Sequence, residues 1–501
     1  MAVILGQSLF IPIVLAPIAY LIGRRAGTKA GWFAFAVLGY STVALLFAAM
    51  QGSDYVETYP WQPIGEFGLK LDGLSLPFAA IIYILSTTLA VYSIPYMKRK
   101  IEEDFHNHAG ENEQAIKSKT GLYYSLYMLY AAGMLGTVLA TNLIQFYIFF
   151  ELMLIPSFFL IAEFGYGDRY RISMMYFLWT HVGAVVLLGA ILAIGFLTGS
   201  FDFAKIATST LPEGIRTWIA VAVSLGLFVK LAAAGLHVWL PYAHAEAPTP
   251  ISALLSPAMI GIGGYAFIRI LVFLVPSAYP TIAFWVSVWG LITMAYGGMM
   301  AFAQDDIKRV FAYSSVSQMG YIIFGMASAY YIGVVGSVFQ YVSHGTGKAL
   351  LFMAAGAIIM QTGGLRSISK LGGLASKLPI TATCAMIGFL VIIGVPPTNG
   401  FQSEWMLFFG SFAGALHSGA QDRLIITGLA LATTPLTAGY ALWTMRRVFF
   451  GKLPPNLANV KDPSATITIP LLFLAALSII LGIYPDLVVQ RLIPLLSGVM
   501  K

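Results

Sequence analysis

Glu151, Lys230, Lys348 and Glu404 are charged side chains lodged inside, or at the broken end of, long apolar runs. A charge at the middle of a membrane helix costs roughly 2.5–3.5 kcal/mol on insertion scales, so such groups face a partner, a cavity or a relay. Two acids and two lysines held in this way point to an ion or proton path. Glu151 lies in Phe149-Phe150-Glu151-Leu152-Met153-Leu154-Ile155-Pro156, where a carboxylate must be protonated or matched by a cation. Lys230 closes an apolar run, and Leu236-His237-Val238-Trp239-Leu240-Pro241-Tyr242-Ala243-His244 follows it. That composition predicts a helix break between Gly235 and Pro241. Broken helices at membrane depth line cavities. His344 and Lys348, in Ser343-His344-Gly345-Thr346-Gly347-Lys348-Ala349, share one helical face. The Gly347-Lys348 pair is no phosphate loop, because Val342 stands where that pattern needs glycine and Ala349 where it needs a hydroxyl. Glu404 sits just past Gly394-Val395-Pro396-Pro397-Thr398-Asn399-Gly400, a second proline-broken run.

The elements that position these groups are membrane helices. A chain of 501 residues that is 58% apolar and 10% charged is a polytopic membrane protein. Its nearly continuous apolar runs predict about fourteen helical spans and exclude a membrane barrel. The first run, up to about Gly23, reads as a retained span with no signal-peptide features. The net charge of +7 reflects orientation and gives no sign of nucleic-acid binding. Most lysines and arginines fall in loops of one face, including Lys98, Arg99, Lys100, Lys308 and Arg309, which places both termini outside. Lys98–Lys119, with Glu102, Asp104, His106 and His108, reads as a solvated linker and not as a metal site. The single cysteine, Cys384, reads as a small hydrophobe, so electron carriers must come from elsewhere. Arg269 reads as a snorkelling residue near a span end. His181 and His237 are left outside the relay.

Four signatures taken together resemble the antiporter-like subunits of respiratory complex I. These are the Glu-Leu-Met-Leu-Ile-Pro span, the Trp-Leu-Pro and Glu-Ala-Pro-Thr stretch, the Asp306-Ile307-Lys308-Arg309 to Ser314-Ser315-Val316-Ser317 run, and the Thr398-Asn399-Gly400-Phe401 break. The likeness covers most of residues 70–450 and is greatest to subunit M (subunit 4). It extends to archaeal F420H2 dehydrogenases, membrane-bound hydrogenases and Mrp-type antiporters. The resemblance implies an all-α membrane fold of about fourteen helices with two inverted five-helix repeats and two broken helices. The implied divisions are residues 1–120 (N-terminal helices and loop), 121–277 and 281–445 (the two repeats) and 446–501 (C-terminal loop and helix). By position, Glu151 resembles the glutamate that pairs with the first lysine, Lys230 that lysine, and Glu404 the terminal carboxylate. Gly261 stands where the family commonly has an eighth-span lysine, and Gln318 where subunit M often has histidine. Lys348 resembles a lysine of subunit L and Mrp-type members.

The implied relay is Glu151, Lys230, His344, Lys348 and Glu404. The implied function is proton translocation within an NADH or F420H2:quinone oxidoreductase; the alternative is a subunit of an Mrp-type sodium/proton antiporter. The chain has no active centre of its own on this reading. Flavin, iron–sulfur clusters and quinone are expected only in partner subunits. Its surroundings are other membrane subunits and the lipid bilayer, with no nucleic acid. The membrane is the plasma or inner membrane, or that of an energy-transducing organelle. The end of the chain soon after its last span favours subunit M over subunit L.

Overall fold

The computed structural model describes residues 3–52, 54–106, 113–328 and 330–500. Helices α1 (Ile4–Ala26) and α2 (Lys29–Met50) lead into a hairpin, β1 (Tyr55–Trp61) and β2 (Gly65–Leu71). The strands pair antiparallel, with Tyr55 opposite Leu71 and Trp61 opposite Gly65. Then come α3 (Ser75–His106), α4 (Glu113–Leu139), α5 (Leu143–Phe164) and α6 (Arg169–Thr198). A broken pair follows, α7 (Glu213–Lys230) and α8 (Trp239–Glu246), and then α9 (Thr249–Leu274) with two π-helical turns. Helices α10 (Ala283–Phe302), α11 (Ile307–Met326) and α12 (Tyr331–Gln361) precede a second broken pair, α13 (Pro379–Ile393) and α14 (Asn399–Ser418). The chain closes with α15 (Gln421–Phe449), α16 (Ala465–Ile483) and the short α17 (Asp486–Ser497).

Among the described residues, eleven helices are long and apolar enough to cross a membrane. The protein is a multi-pass membrane protein. The long helices α7, α11 and α14 fall outside that set because they carry charged or hydroxyl and amide side chains. α12 is the axis of the molecule: its apolar window is entirely buried, packed by α3, α9, α11, α13, α14 and α16. Small residues bring the other helices together, as membrane helices lacking a hydrophobic driving force require. A methyl group at Gly23 of α1 would strike the backbone of Gly121 on α4, and one at Gly290 of α10 would come within 2.6 Å of Phe324 N on α11.

The hairpin was not foreseen from sequence. It supplies the cap that α1 lacks: the N–H groups of Leu5 and Gly6 donate to the Glu57 carboxylate at 2.8 Å. Asn142 and Asp306 cap α5 and α11 in the same sense, accepting from Ile144 N–H at 2.9 Å and Lys308 N–H at 2.8 Å.

Three expectations need correction. Lys98–Lys119 is mostly helical, because α3 runs on to His106 and α4 begins at Glu113, stiffened by i,i+4 ion pairs such as Arg99–Glu103 at 2.6 Å; His108 lies outside the described residues. Arg269 does not snorkel. It is buried, with Nη2 2.7 Å from Asp72 Oδ1 and Nε donating to Tyr265 Oη at 3.2 Å. Asp72, in the turn between β2 and α3, is the partner a sequence window could not supply. Burial alone would raise its carboxyl, but Arg269 and the Ser75 N–H hold it well below the usual carboxylate range. Lys308 is buried in the first turn of α11, where its ammonium donates to the carbonyls of Ala245 at 3.3 Å and Ala247 at 2.5 Å. It thereby caps the C-terminal end of α8, where a cation is favoured.

Candidate functional site: buried charges on two broken helices

The first break starts immediately after Lys230 and ends at Trp239, earlier than the prolines suggested. Pro241 falls in the first turn of α8, where its missing N–H costs nothing. The turn itself is made by Gly235 at φ +88° and by Ala232 at φ +52°, a left-handed conformation unusual for a residue with a side chain. The freed backbone groups are satisfied by side chains from three neighbouring elements. Trp239 Nε1 donates to Val229 O, Trp289 Nε1 to Ala234 O and Trp179 Nε1 to Leu236 O, each at 2.9 Å, while Ala234 N–H donates to Thr293 Oγ1 at 3.1 Å. Irregular backbone at membrane depth persists only with such partners.

Lys230 is thus the last residue of a half-helix, where the partial negative charge of the C-terminus favours a cation. It is buried, with Nζ 5.1 Å from the centre of the Phe150 ring. Glu151 acts on it through space. Among the described residues the two form no ion pair; Glu151 Oε2 lies 3.1 Å from His181 Nδ1, and Oε1 is buried without a partner. His181, set aside on sequence grounds, is therefore part of this corner. It stood out in the sequence only as a lone histidine in an apolar run.

The second break lies between Ile393 and Asn399. Gly394, at φ +76°, ends α13, and the Glu404 carboxylate folds back against it, so that a Cβ there would sit 2.6 Å from Oε2. Glycine is required at this position on both counts. Glu404 borders a cleft of about 670 Å³ between α14 and α15, and its Oε1 is buried without a partner. From the preceding residue a neutral network runs inward: Ser403 Oγ donates to Gln340 Oε1 at 2.6 Å, Gln340 Nε2 to Gln318 Oε1 at 2.5 Å, and Gln318 Nε2 to Ile392 O at 3.2 Å.

Between the two breaks lies α12. Lys348 is fully buried and donates to Ser314 Oγ and, at 3.1 Å, to Phe311 O. His344, one turn earlier, is buried with neither ring nitrogen bonded. The same holds for His244 of α8, whose ring stacks on Phe352 at 5.0 Å. His344, His244 and Lys348 lie within electrostatic reach of one another. Buried polar atoms without protein partners are where bound water belongs. His244 was passed over in the sequence because its Pro-rich surroundings read as loop. Gly261 explains the absent lysine of α9: any side chain there would collide with the Tyr341 ring of α12.

The structure therefore gathers His344, Lys348 and His244 at the centre, with Lys230 and Glu151 at one corner and Glu404 at another. Residues 140–421, which contain all of them, match the family described as NADH:quinone oxidoreductase/Mrp antiporter, TM, and residues 61–107 match NADH-Ubiquinone oxidoreductase (complex I), chain 5 N-terminus. The chain belongs to this antiporter-like family. Within the family it is 30% identical to NADH-quinone oxidoreductase subunit M of Rhodobacter capsulatus, over 97% of this chain and 94% of that one. It is equally, 30%, identical to F(420)H(2) dehydrogenase subunit M of Methanosarcina mazei, over 97% and 95% of the two chains. The fold matches a chain of respiratory complex I from Thermus thermophilus with a TM-score of 0.86 at 24% identity, covering 99% of each chain. It matches a chain of the Mrp complex from Dietzia sp. with a TM-score of 0.85 at 27% identity, covering 99% of this chain and 52% of that one.

Proposed function

We propose that this chain is a proton-translocating membrane subunit of a redox-driven NADH (or F420H2):quinone oxidoreductase. The observation that carries this reading is a set of buried ionisable groups, several with polar atoms left unbonded, on and between two broken helices, in a chain whose full-length relatives are named subunit M. A buried lysine is stable as a neutral amine or, with a carboxylate near, as an ammonium. Movement of the Glu151 carboxylate relative to Lys230 would then load or release a proton there. The next acceptors inward are the unbonded ring nitrogens of His244 and His344, followed by the Lys348 amine. From there to Glu404 the side chains are Gln318, Gln340 and Ser403, which relay hydrogen bonds but carry no charge, so a proton crossing this stretch needs water.

On this reading the chain divides as its relatives imply: 121–277 carries the first broken helix, 281–445 the second, flanked by 1–120 and 446–501. Flavin, iron–sulfur clusters and quinone belong to partner subunits, and this chain contributes no active centre. The likeness to the Mrp complex favours a second reading, a cation/proton exchanger built on the same charges. Mass spectrometry of what co-purifies with the chain from gently solubilised native membranes separates them. Iron–sulfur and quinone-site subunits are expected. Small hydrophobic antiporter subunits alone would overturn the redox reading.

A further inference from the structure

His181 lies on a face of α6 shared with Met174, Leu178, Val182 and Val185, all strongly exposed and apolar. A 43% exposed imidazole on such a stripe has no reason to be there as packing, yet it is the group that holds Glu151. Its ring is fixed by parallel stacking on Phe177, at 5.6 Å and 5°. Its Nδ1 meets Oε2 at 3.1 Å, which leaves Oε1 buried and unbonded, while the Lys230 ammonium, seated over the neighbouring Phe150 ring, lies beyond ion-pair distance but within the electrostatic reach of the carboxylate. One carboxylate thus serves two nitrogen bases, bound to the outer and acting electrostatically on the inner.

We propose that His181 is a positioning residue for proton transfer: a second, titratable counter-group that competes with Lys230 for Glu151. When the imidazole gains a proton, the ion pair keeps the carboxylate on the α6 side and Lys230 is disfavoured as an ammonium. When it loses that proton, the carboxylate is released towards Lys230, which can then hold one. The groups that act in this corner are few. Glu151 and Tyr147 come from α5, Tyr176 from α6 itself and Lys230 from α7, each within the electrostatic reach of Glu151. Among the described residues His181 forms no ion pair with any group of α8.

This inference rests on the proposed function, and the test keeps the two apart. Proton translocation driven by substrate oxidation is measured against pH in the assembled complex for His181→Gln, His181→Lys and Glu151→Gln. Glutamine keeps a hydrogen bond to Glu151 but cannot take up a proton, and lysine keeps a cation there permanently. Both are expected to slow translocation several-fold, because neither side chain can both take up and release a proton beside Glu151. Both are also expected to flatten the pH profile of translocation, because neither replacement can alternate between a cationic and a neutral form as an imidazole does. A wild-type rate and pH profile in either His181 variant overturns the inference. If Glu151→Gln translocates normally, the proposed function itself falls. If Glu151→Gln fails while the His181 variants behave as wild type, only the role of His181 falls.

Discussion

A buried charge is tolerated when its partner is in place and becomes a liability when that partner is removed, so the Asp72–Arg269 pair gives the clearest residue-scale prediction. Arg269→Leu leaves the Asp72 carboxylate buried beside an apolar side chain. Lys70, 3.6 Å from Oδ2, and the N–H groups of Leu74 and Ser75 still face it, so a loss of up to about 3 kcal/mol is expected, read as a lower thermal midpoint in detergent. Asp72→Asn together with Arg269→Leu should lose much less. The pH dependence follows from the depressed Asp72 carboxyl. Its contribution is complete above the ordinary carboxylate value of about 4 and drains away as pH falls through the lower folded value. Acid melts of the wild type should therefore steepen below about pH 4, and those of the double variant should be flatter there. An Arg269→Leu chain as stable as the wild type would mean that the pair contributes nothing.

At the scale of elements the molecule turns on its two breaks. Gly394 combines a positive φ with contact to the Glu404 carboxylate, so Gly394→Ala should cost more than about 1 kcal/mol and displace that carboxylate. The expected result is slowed proton transfer in an assembled complex, with Gly451→Ala, at φ +90° with open space around it, as a control for backbone strain alone. Equal behaviour of the two variants would deny Glu404 its special relation to the break. The breaks were legible in sequence because proline and glycine clusters interrupt apolar runs, and so were the depths of Glu151, Lys230, Lys348 and Glu404. The register of the first break was not, because Pro241 is harmless in a first helical turn and the chain leaves the helix through Ala232 instead. The hairpin was missed because Tyr55–Trp61 and Gly65–Leu71 are short strands between spans with far stronger apolar signals. Arg269, Lys308, His181 and His244 were misread or passed over for a common reason. Their partners, at Asp72, Ala247, Glu151 and Phe352, are distant in sequence, and nothing local announces them.

At the scale of the whole molecule, α12 joins the two broken helices. It carries His344 and Lys348 at its centre, bonds Asn399 of α14 through Thr346 at 3.0 Å, and faces His244 of α8 through Phe352. Loss of charge at one corner should therefore be felt as loss of transport through the entire chain, while electron transfer in partner subunits continues until back-pressure limits it. The direct measurement is substrate-driven proton translocation by vesicles containing the assembled complex with Lys230→Ala, alongside uncoupled quinone reduction. The expected result is that quinone reduction is retained while proton translocation falls several-fold. Translocation at the wild-type ratio of protons to electrons in that variant would contradict the account.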